Sequence, residues 1–418
     1  MISRIFTQLM AIARSGYPWV SGGMLARAVL QAATVIILAR HLQSDAYGLI
    51  VTLTSVASVF SVLAGMGAPS LHLRDLAHAN VSPRDSYRAR YRAIALTSLP
   101  LLGLATVTAF LMAGSSAPVF YVVILLLGEI LSYGFSDVLM RSMQGAHRFP
   151  AMALAMCAPA ACRLFAVLCC IVAGVRLGLE AWSYVTLCSG AVMVALATVW
   201  LFRIRHVPGR EPLGHAGILE GFGFAMTSAS MRVHADADKA LVGGLASFDS
   251  AAQYSVAYRV FDVLLLPVAA LLEWGMTGLF REGSHRDPVR LLQSSRRLAM
   301  MVVAAALAAV VVAIMIAPWL PWVFGTAYGR STHIAYTLAF IPVSSAAWWF
   351  VRAILTGAGD QSVCGTIEAV GAVFNVLTTV LLVTSMDWLG AVIATYLTHL
   401  VMFVLGVMRL RHRRWRGN

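Results

Sequence analysis

The chain has 418 residues, of which 60% are hydrophobic and only 12% are charged. A water-soluble protein has about a quarter of its residues charged, so this chain lacks the polar side chains needed to cover a soluble globule. Its 31 Lys and Arg residues outnumber its 18 Asp and Glu residues and give a formal net charge of +13. Because Lys and Arg mark the cytoplasmic loops of membrane proteins, this charge does not imply a nucleic-acid partner. Composition therefore predicts an integral membrane protein in contact with the lipid bilayer.

Apolar windows of about 20 residues, the length that crosses a bilayer as a helix, recur along the whole chain. The window Leu298–Pro318 contains no charged residue, whereas Ile218–Ala240 contains several. The pattern predicts an all-α polytopic membrane protein with twelve transmembrane helices. The twelve windows are Pro18–Arg40, Gly48–Ala68, Ala93–Ala113, Pro118–Met140, Pro150–Gly174, Ala181–Leu201, Ile218–Ala240, Ala251–Met276, Leu298–Pro318, Thr332–Leu355, Val363–Thr384 and Leu389–Val407.

The basic residues of the loops predict how these helices are oriented. If the N-terminus lies inside, 22 of the 31 Lys and Arg residues fall in cytoplasmic segments and four fall in outer segments. Such an asymmetry over strictly alternating loops follows the positive-inside rule. We therefore expect both termini in the cytoplasm. The outer connections are very short, for example Gly114–Ala117, and leave no room for an outer soluble domain.

The two halves of the chain repeat each other weakly. A shift of 207 residues places Arg74 on Arg281, Asp75 on Glu282 and Arg90 on Arg297. Each half contains six predicted spans, so both halves start from the same side of the membrane. Parallel repeats of this kind place a cavity at their interface. We predict two six-helix bundles, residues 1–210 and 211–418, around a central cavity.

The sequence contains no signature of an enzyme, a cofactor or a metal site. Lys239 is the only lysine, and the acidic residues Asp236 and Asp238 precede it, which excludes a phosphate-binding Walker A loop. The HExxH and GxSxG motifs are absent, and the six cysteines form no CxxC pair. We predict a protein that is not an enzyme and that, if it transports a solute, is a secondary transporter or facilitated flippase rather than an ATP-driven pump.

Four arginines lie at membrane depth within predicted helices: Arg27, Arg163, Arg232 and Arg259. Each arginine at a helix centre costs roughly 2.5–3.5 kcal/mol on insertion scales. Together they would cost on the order of 10–14 kcal/mol if they faced lipid. They must therefore line a water-filled cavity, pair with acidic residues, or do both.

Internal pairing is the structural alternative to a cavity. Oppositely charged residues three or four positions apart on a helix are close enough to interact, and three such pairs occur in the seventh and eighth spans. These pairs are Arg232 with Asp236, His234 with Asp238, and Arg259 with Asp262.

Arg27 and Arg163 have no acidic residue within four positions on their own helices. They need a partner elsewhere or a ligand, and Glu129 and Asp137 on the fourth helix are available either as partners or as proton carriers. Nearer the cytoplasmic ends, Arg352 and Glu368 could form the salt bridge of a gate.

The positive sign of these charges indicates which class of substrate the cavity would bind. Arginine binds phosphate through two parallel hydrogen bonds and stays charged at any working pH. A cavity rich in arginine suits an anionic head group such as a pyrophosphate, whereas a site for cationic drugs would be led by carboxylates and aromatic residues. Tyr258, which shares a helix face with Tyr254 and Asp262, could stack on a sugar ring or simply pack. The predicted cavity residues are Arg27, Arg163, Arg232, His234, Lys239, Tyr258 and Arg259. The candidates for coupling or gating are Glu129, Asp137, Asp236, Asp262, Arg352 and Glu368.

Three short motifs add a resemblance to a known family. They are Leu38–Gly48, which reads LARHLQSDAYG; the pair Asp238-Lys239 with AAQY at 251–254 and Tyr258-Arg259 after it; and Leu355–Gly359, which reads LTGAG. With the twelve spans and two halves, they make the chain resemble the polysaccharide transporter family of Wzx-type O-antigen and exopolysaccharide flippases. This family belongs to the multidrug/oligosaccharidyl-lipid/polysaccharide exporter (MOP) superfamily.

The resemblance implies two bundles forming a V around a central cavity. It implies a substrate of undecaprenyl-pyrophosphate-linked oligosaccharide, flipped by alternating access across a bacterial inner membrane, and work alongside a polysaccharide polymerase and chain-length machinery. By position in the helices, Arg27 and Arg163 correspond to the cationic cavity of the family. The alternative is a cation-coupled multidrug or small-molecule exporter of the same superfamily, in which Glu129, Asp137 or Asp262 matters more than any arginine. A polymerase or ligase would need a sizeable outer loop.

Overall fold

The computed structural model describes residues 17–78, 81–204, 217–283 and 295–415, and these ranges are helical without any strand. Their α-helices are α1 (Tyr17–His41), α2 (Ser44–Leu63), α3 (Ala68–His78), α4 (Pro83–Ala113), α5 (Val119–Gly145), α6 (Phe149–Val172), α7 (Leu179–Arg203), α8 (Gly217–Arg232), α9 (Asp238–Leu245), α10 (Phe248–Leu264), α11 (Leu266–Gly283), α12 (Arg296–Ile316), α13 (Leu320–Phe324), α14 (Arg330–Leu338), α15 (Ile341–Gly357), α16 (Gln361–Met386) and α17 (Trp388–Trp415).

Eleven helical segments of the described chain are long and apolar enough to cross a membrane. Each of the eleven overlaps one of the predicted windows, so the prediction of an all-α polytopic membrane protein is confirmed. The window Ile218–Ala240 is not among the eleven. It is helical, but a π-helical segment at Val233–Ala237 separates α8 from α9, and its ionisable side chains make it the least apolar of the twelve.

The chain divides into two compact units. Unit 1 consists of the described parts of Met1–Leu42 and Leu53–Ala229, and unit 2 consists of the described parts of Gln43–Thr52 and Ser230–Asn418. The predicted boundary between residues 210 and 211 lies outside the described residues, so it stays a prediction, as does the cytoplasmic location of the termini.

Small residues allow the helices of unit 1 to approach closely. A Cβ atom added to Gly128 on α5 would lie 2.4 Å from the backbone carbon of Thr186 on α7. Ser132 Oγ and Ser189 Oγ, also on α5 and α7, are 3.2 Å apart. Close contact of small residues, with hydroxyl groups hydrogen-bonded across it, is how helices associate in a membrane. α5 is therefore held at the centre of unit 1, where its Glu129 meets Arg163 of α6.

Unit 2 is held by an apolar core and by a polar cluster at the start of α10. The core packs Val302, Trp348 and Ile354 from α12 and α15. At the other site, the hydroxyl of Ser250 donates a 2.8 Å hydrogen bond to Asp387, and Arg330 pairs with Asp249 at 2.7 Å. These contacts fix the first turn of the helix that carries the predicted tyrosines.

Candidate functional site

Arg163 and Glu129 form the central ion pair of unit 1. Arg163 Nη2 on α6 lies 2.8 Å from Glu129 Oε2 on α5, and the two side chains are 20% and 15% exposed. Glu129 is one of the two acids that the sequence offered as a partner. Arg163 Nε is buried and has no hydrogen-bond partner among the described residues. The guanidinium therefore keeps one donor in addition to those facing Glu129.

Arg27 lies on α1, which packs directly against α6. A Cβ atom on Gly23 would lie 3.0 Å from the side chain of Ala153, and the Cys157 thiol is 3.4 Å from the Gly23 carbonyl oxygen. Arg27 is half-buried one turn after Gly23. The structure therefore places Arg27 and Arg163, the two arginines without an acid on their own helices, on neighbouring helices of one unit.

Asp137 lies two turns after Glu129 on α5 and faces a different partner. Its Oδ1 atom is 3.6 Å from Arg141 Nε on the same helix. Asp137 also lines a cleft of unit 1 together with Ser70 and Ser228. Of the two acids offered as partners, Glu129 is the one that pairs with Arg163, and the role of Asp137 as a partner, proton carrier or gating residue stays a prediction.

The π-helical segment of unit 2 carries a chain of charged contacts. Asp236 lies between two cations: its Oδ2 atom is 3.4 Å from Arg232 Nη1, and its Oδ1 atom is 3.2 Å from Lys239 Nζ. Lys239 is 6% exposed and also donates a hydrogen bond to the carbonyl of Ala235. The predicted pairing of Arg232 with Asp236 is confirmed. π-turns inside helices are rare and occur frequently at functional sites.

Asp238 and the tyrosines of α10 complete this cluster. Tyr254 donates a 2.6 Å hydrogen bond to Asp238 Oδ2, and the ammonium of Lys239 lies 4.6 Å from the centre of the Tyr258 ring. A cation over an aromatic face is an attractive contact. Tyr254 and Tyr258 are both buried, so in this structure they pack inside unit 2. Contact of Lys239 and Tyr258 with a substrate stays a prediction.

His234 does not pair with Asp238, so that predicted contact is wrong. Asp238 is engaged by Tyr254 and by the ammonium of Lys239. His234 instead faces α16, where its Nε2 atom is 3.2 Å from the Glu368 carbonyl oxygen. Gly371 makes room for it, since a Cβ atom there would lie 3.1 Å from the imidazole.

Two further predicted pairs are confirmed in unit 2. Arg352 Nη1 lies 2.9 Å from Glu368 Oε1, and Glu368 is 4% exposed. Arg259 Nη1 lies 3.4 Å from Asp262 Oδ2, and the two side chains are 44% and 45% exposed. The first pair is embedded between α15 and α16, whereas the second lies on the open face of α10. Whether either pair acts in coupling or gating stays a prediction.

The sequence analysis missed a buried polar network in unit 1. His72 Nδ1 is 2.9 Å from Ser86 Oγ, and Ser86 donates a 2.7 Å hydrogen bond to Asp75 Oδ2. Arg90 Nη2 lies 3.1 Å from the same carboxylate oxygen. The signal that could have found it was the repeat, since Asp75 and Arg90 both align with like-charged residues 207 positions later. The network ties α3 to the start of α4.

Comparisons with known proteins identify the family. A family model described as polysaccharide biosynthesis protein matches residues 14–273, more than half of the chain. No curated protein sequence matches the chain. The chain is similar in structure to an inward-facing multidrug resistance MATE family transporter of the MOP superfamily. The TM-score is 0.73 at 18% identity, over 97% of this chain and 100% of the other.

Two further solved structures have the same fold. The chain matches an outward-facing MATE family transporter with a TM-score of 0.61 at 18% identity, over 97% of this chain and 96% of the other. It matches a MOP superfamily transporter from Pyrococcus furiosus with a TM-score of 0.60 at 18% identity and the same coverage. The chain therefore belongs to the polysaccharide biosynthesis protein family, and it is a multi-pass membrane protein with the fold of MOP superfamily transporters.

Proposed function

We propose that the protein is a flippase for a lipid-linked oligosaccharide, an O-antigen or exopolysaccharide repeat unit carried on undecaprenyl pyrophosphate. It would act by alternating access in the inner membrane of a bacterium and deliver its product to a polysaccharide polymerase and chain-length machinery. Membership of a polysaccharide biosynthesis family supports the saccharide part of this proposal. The Arg163 guanidinium, whose buried Nε donor has no partner among the described residues, supports the anionic part.

The observation that carries the proposal is the buried Nε donor of Arg163, which has no hydrogen-bond partner among the described residues. Arg27 and Arg163 lie on helices that pack together, and Glu129 is the acid that the structure pairs with Arg163. A buried donor without a partner is costly, and a phosphate oxygen of the substrate would satisfy it. Guanidinium groups recognise phosphate oxygens through paired, charge-assisted hydrogen bonds.

This chemistry indicates that the head group of the substrate would enter the site and that its lipid tail would not. Arg163 would contact a phosphate oxygen through its unpartnered Nε donor, while Glu129 holds the guanidinium in a fixed orientation. The isoprenoid tail would stay in the bilayer, because moving it through a polar site would expose apolar surface. The oligosaccharide would cross with the head group.

Reconstitution of the purified protein tests the proposal. Liposomes receive a fluorescent undecaprenyl-pyrophosphate oligosaccharide, and its accessibility to a membrane-impermeant reagent is followed over time, with and without a pH gradient. We expect accelerated translocation that is lost in Arg163→Ala. The matched control is Arg330→Ala, which removes an arginine from an exposed ion pair outside the predicted cavity and should leave translocation intact.

A cation-coupled multidrug or small-molecule exporter is the second candidate, and the structural neighbours favour it. Two of them are multidrug resistance MATE transporters. A third has been described as having a binding pocket of reversed polarity that suggests a different function. The charge of the binding pocket therefore helps to distinguish transporters of different function within this fold. Efflux of ethidium from the same liposomes, lost in Glu129→Gln but kept in Arg27→Ala, would favour this candidate over the flippase.

A further inference from the structure

The second membrane span, whose later part from Leu53 onward belongs to unit 1, is broken by a left-handed turn. Between α2 and α3, the backbone φ angles are 79° at Gly65, 47° at Met66 and 77° at Gly67. Glycine adopts this conformation freely, whereas an L-residue such as Met66 is disfavoured there. Three consecutive residues of this kind interrupt a helix that would otherwise run from residue 44 to residue 77. The turn is therefore a built feature that the surrounding structure must hold in place.

Hydrogen bonds satisfy the backbone of the turn. The Gly65 N–H donates to Thr97 Oγ1 on α4 at 2.7 Å. The Met66 N–H donates to the Leu63 carbonyl at 2.9 Å, and the Ala68 N–H donates to the Gly65 carbonyl at 2.9 Å. The first of these bonds comes from outside the turn. In the broken conformation these N–H groups are hydrogen-bonded, so the turn carries no desolvation cost at them. Its free energy can therefore be close to that of a continuous helix.

The turn lies backbone to backbone against α8. A Cβ atom on Gly67 would lie 2.1 Å from the Gly221 carbonyl oxygen, and one on Gly221 would lie 2.3 Å from the Met66 carbonyl oxygen. No side chain larger than hydrogen fits on either side of this contact. If the turn became helical, Gly67 would have to leave Gly221.

The helix after the turn is tied to its neighbour by side-chain contacts. α3 carries His72 and Asp75, which are bonded to Ser86 and Arg90 at the start of α4. Motion about the turn would therefore carry α3 and the first turns of α4 together. A mobile joint between two well-packed blocks is the geometry of a hinge.

A cleft lies beside the joint and contains the predicted gating residue. It is bounded by the turn and α3 on one side, by α5 on a second and by α8 on a third, through Gly67, Ser70, Tyr133, Asp137, Ala225 and Ser228. Separation of Gly67 from Gly221 would widen this cleft, because the two glycines belong to opposite walls. Asp137 and Ser70 would then become more accessible to water.

We propose that Gly65-Met66-Gly67 is a hinge that opens and closes the Asp137 cleft by changing between a left-handed turn and a continuous helix. In the closed form, the turn is in backbone contact with Gly221. As a step in translocation, this device rests on the proposed function. Its structural content concerns unit 1 alone and is measurable without any substrate.

Alkylation of a reporter thiol tests the hinge directly. Ser70→Cys is introduced into the full chain in detergent, and its reaction rate with a hydrophilic maleimide is measured against the native-cysteine background. Gly67→Ala disfavours the left-handed form and should raise the rate about fivefold. Met66→Gly removes the disfavoured φ angle and stabilises the closed form, so it should lower the rate about fivefold.

Two glycines serve as controls. Gly103→Ala changes an α-helical glycine in open space, and Gly174→Ala changes a glycine with φ of 69° that has nothing within 4 Å of its added Cβ. Both should leave the rate at Ser70 unchanged. Opposite effects of Gly67→Ala and Met66→Gly support the hinge. A Met66→Gly rate within twofold of the parent would overturn it, even if Gly67→Ala fails to fold. Absence of translocation in the parent would overturn the proposed function but leave this alkylation result standing.

Discussion

Unit 1 and unit 2 handle buried charge in different ways. In unit 2, Asp236 serves two cations and Asp238 serves a tyrosine and a lysine, so the charges neutralise one another within two helices. In unit 1, Arg163 pairs with a single acid from another helix, and its buried Nε donor has no partner among the described residues. A charge cluster that is neutralised internally stabilises a structure, whereas a buried donor without a partner offers a contact for a ligand. On the proposed function, unit 1 would be the binding half and unit 2 chiefly the structural half.

The two units also interrupt their helices differently. Unit 1 breaks a span with glycines in left-handed conformation, while unit 2 contains a π-turn at Val233–Ala237. The left-handed turn offers a second, helical conformation at modest cost. The π-turn is tied down by the contacts of Asp236 and Lys239. We therefore expect unit 1 to change conformation more readily than unit 2.

Removal of Asp238 should give the largest effect on stability. Asp238 is fully buried and accepts the hydrogen bond of Tyr254. Asp238→Ala would leave a buried cation in excess, and breaking a buried charged pair costs about 3–5 kcal/mol. We expect a matching drop in the free energy of unfolding in detergent. Tyr254→Phe, which removes only the hydroxyl, should cost about 1 kcal/mol. Equal losses in the two variants would contradict a charge-neutralising role for Asp238.

Removal of Arg163 should give the largest effect on transport. Truncating one member of a hydrogen-bonded charge pair at a binding site weakens binding by about 2 kcal/mol or more, which is about 30-fold. We expect translocation of the pyrophosphate-linked substrate to fall by at least that factor in Arg163→Ala. Unit 2 provides the matched comparison, since Arg352→Ala breaks a pair of similar length and should act on stability more than on transport. The reverse order would mean that the roles of the units are exchanged.

Replacing glycine by alanine at a close helix contact should lower stability equally in both units. A Cβ atom would lie 2.4 Å from the Thr186 backbone at Gly128 in unit 1, and 2.4 Å from the Leu382 backbone at Gly390 in unit 2. Overpacking costs about 1–3 kcal/mol, so Gly128→Ala and Gly390→Ala should lower thermal stability by similar amounts. Gly103→Ala, in open space, should be neutral. A large effect in one unit alone would show that packing, and not only charge, separates the two.

The pair of Arg259 and Asp262 should give the smallest effect. Both side chains are nearly half exposed, and exposed ion pairs contribute at most about 1 kcal/mol. Arg259→Ala should therefore change the unfolding midpoint and the translocation rate very little. A tenfold loss of translocation in this variant would extend the substrate site into unit 2.

The sequence predicted the membrane class, eleven of the spans and several ion pairs, because these depend on local hydropathy and on helical spacing. Arg232 with Asp236 and Arg259 with Asp262 are found at the spacing that helical geometry predicts. His234 fails the same rule, since its imidazole contacts the Glu368 carbonyl oxygen and Asp238 is engaged by Tyr254. No spacing rule signals these contacts between helices in advance.

Contacts between helices were predictable only as alternatives. Glu129 and Asp137 both suited Arg163, and the choice depends on how α5 is rotated by its glycine contact with α7. The left-handed turn at Gly65–Gly67 was hidden in an apolar window, because hydropathy does not register φ. The buried state of Tyr258 and Lys239 likewise depends on how α9 packs against α10.

Binding of the head group tests the central contrast most directly. The affinity of the purified protein for undecaprenyl-pyrophosphate oligosaccharide is measured in detergent for the parent, Arg163→Gln and Arg259→Gln. We expect Arg163→Gln to bind at least about tenfold more weakly, since a charge-assisted contact to phosphate is lost, and Arg259→Gln to bind like the parent. Equal affinities in all three proteins, or a loss confined to Arg259→Gln, would contradict the assignment of the binding charge to unit 1.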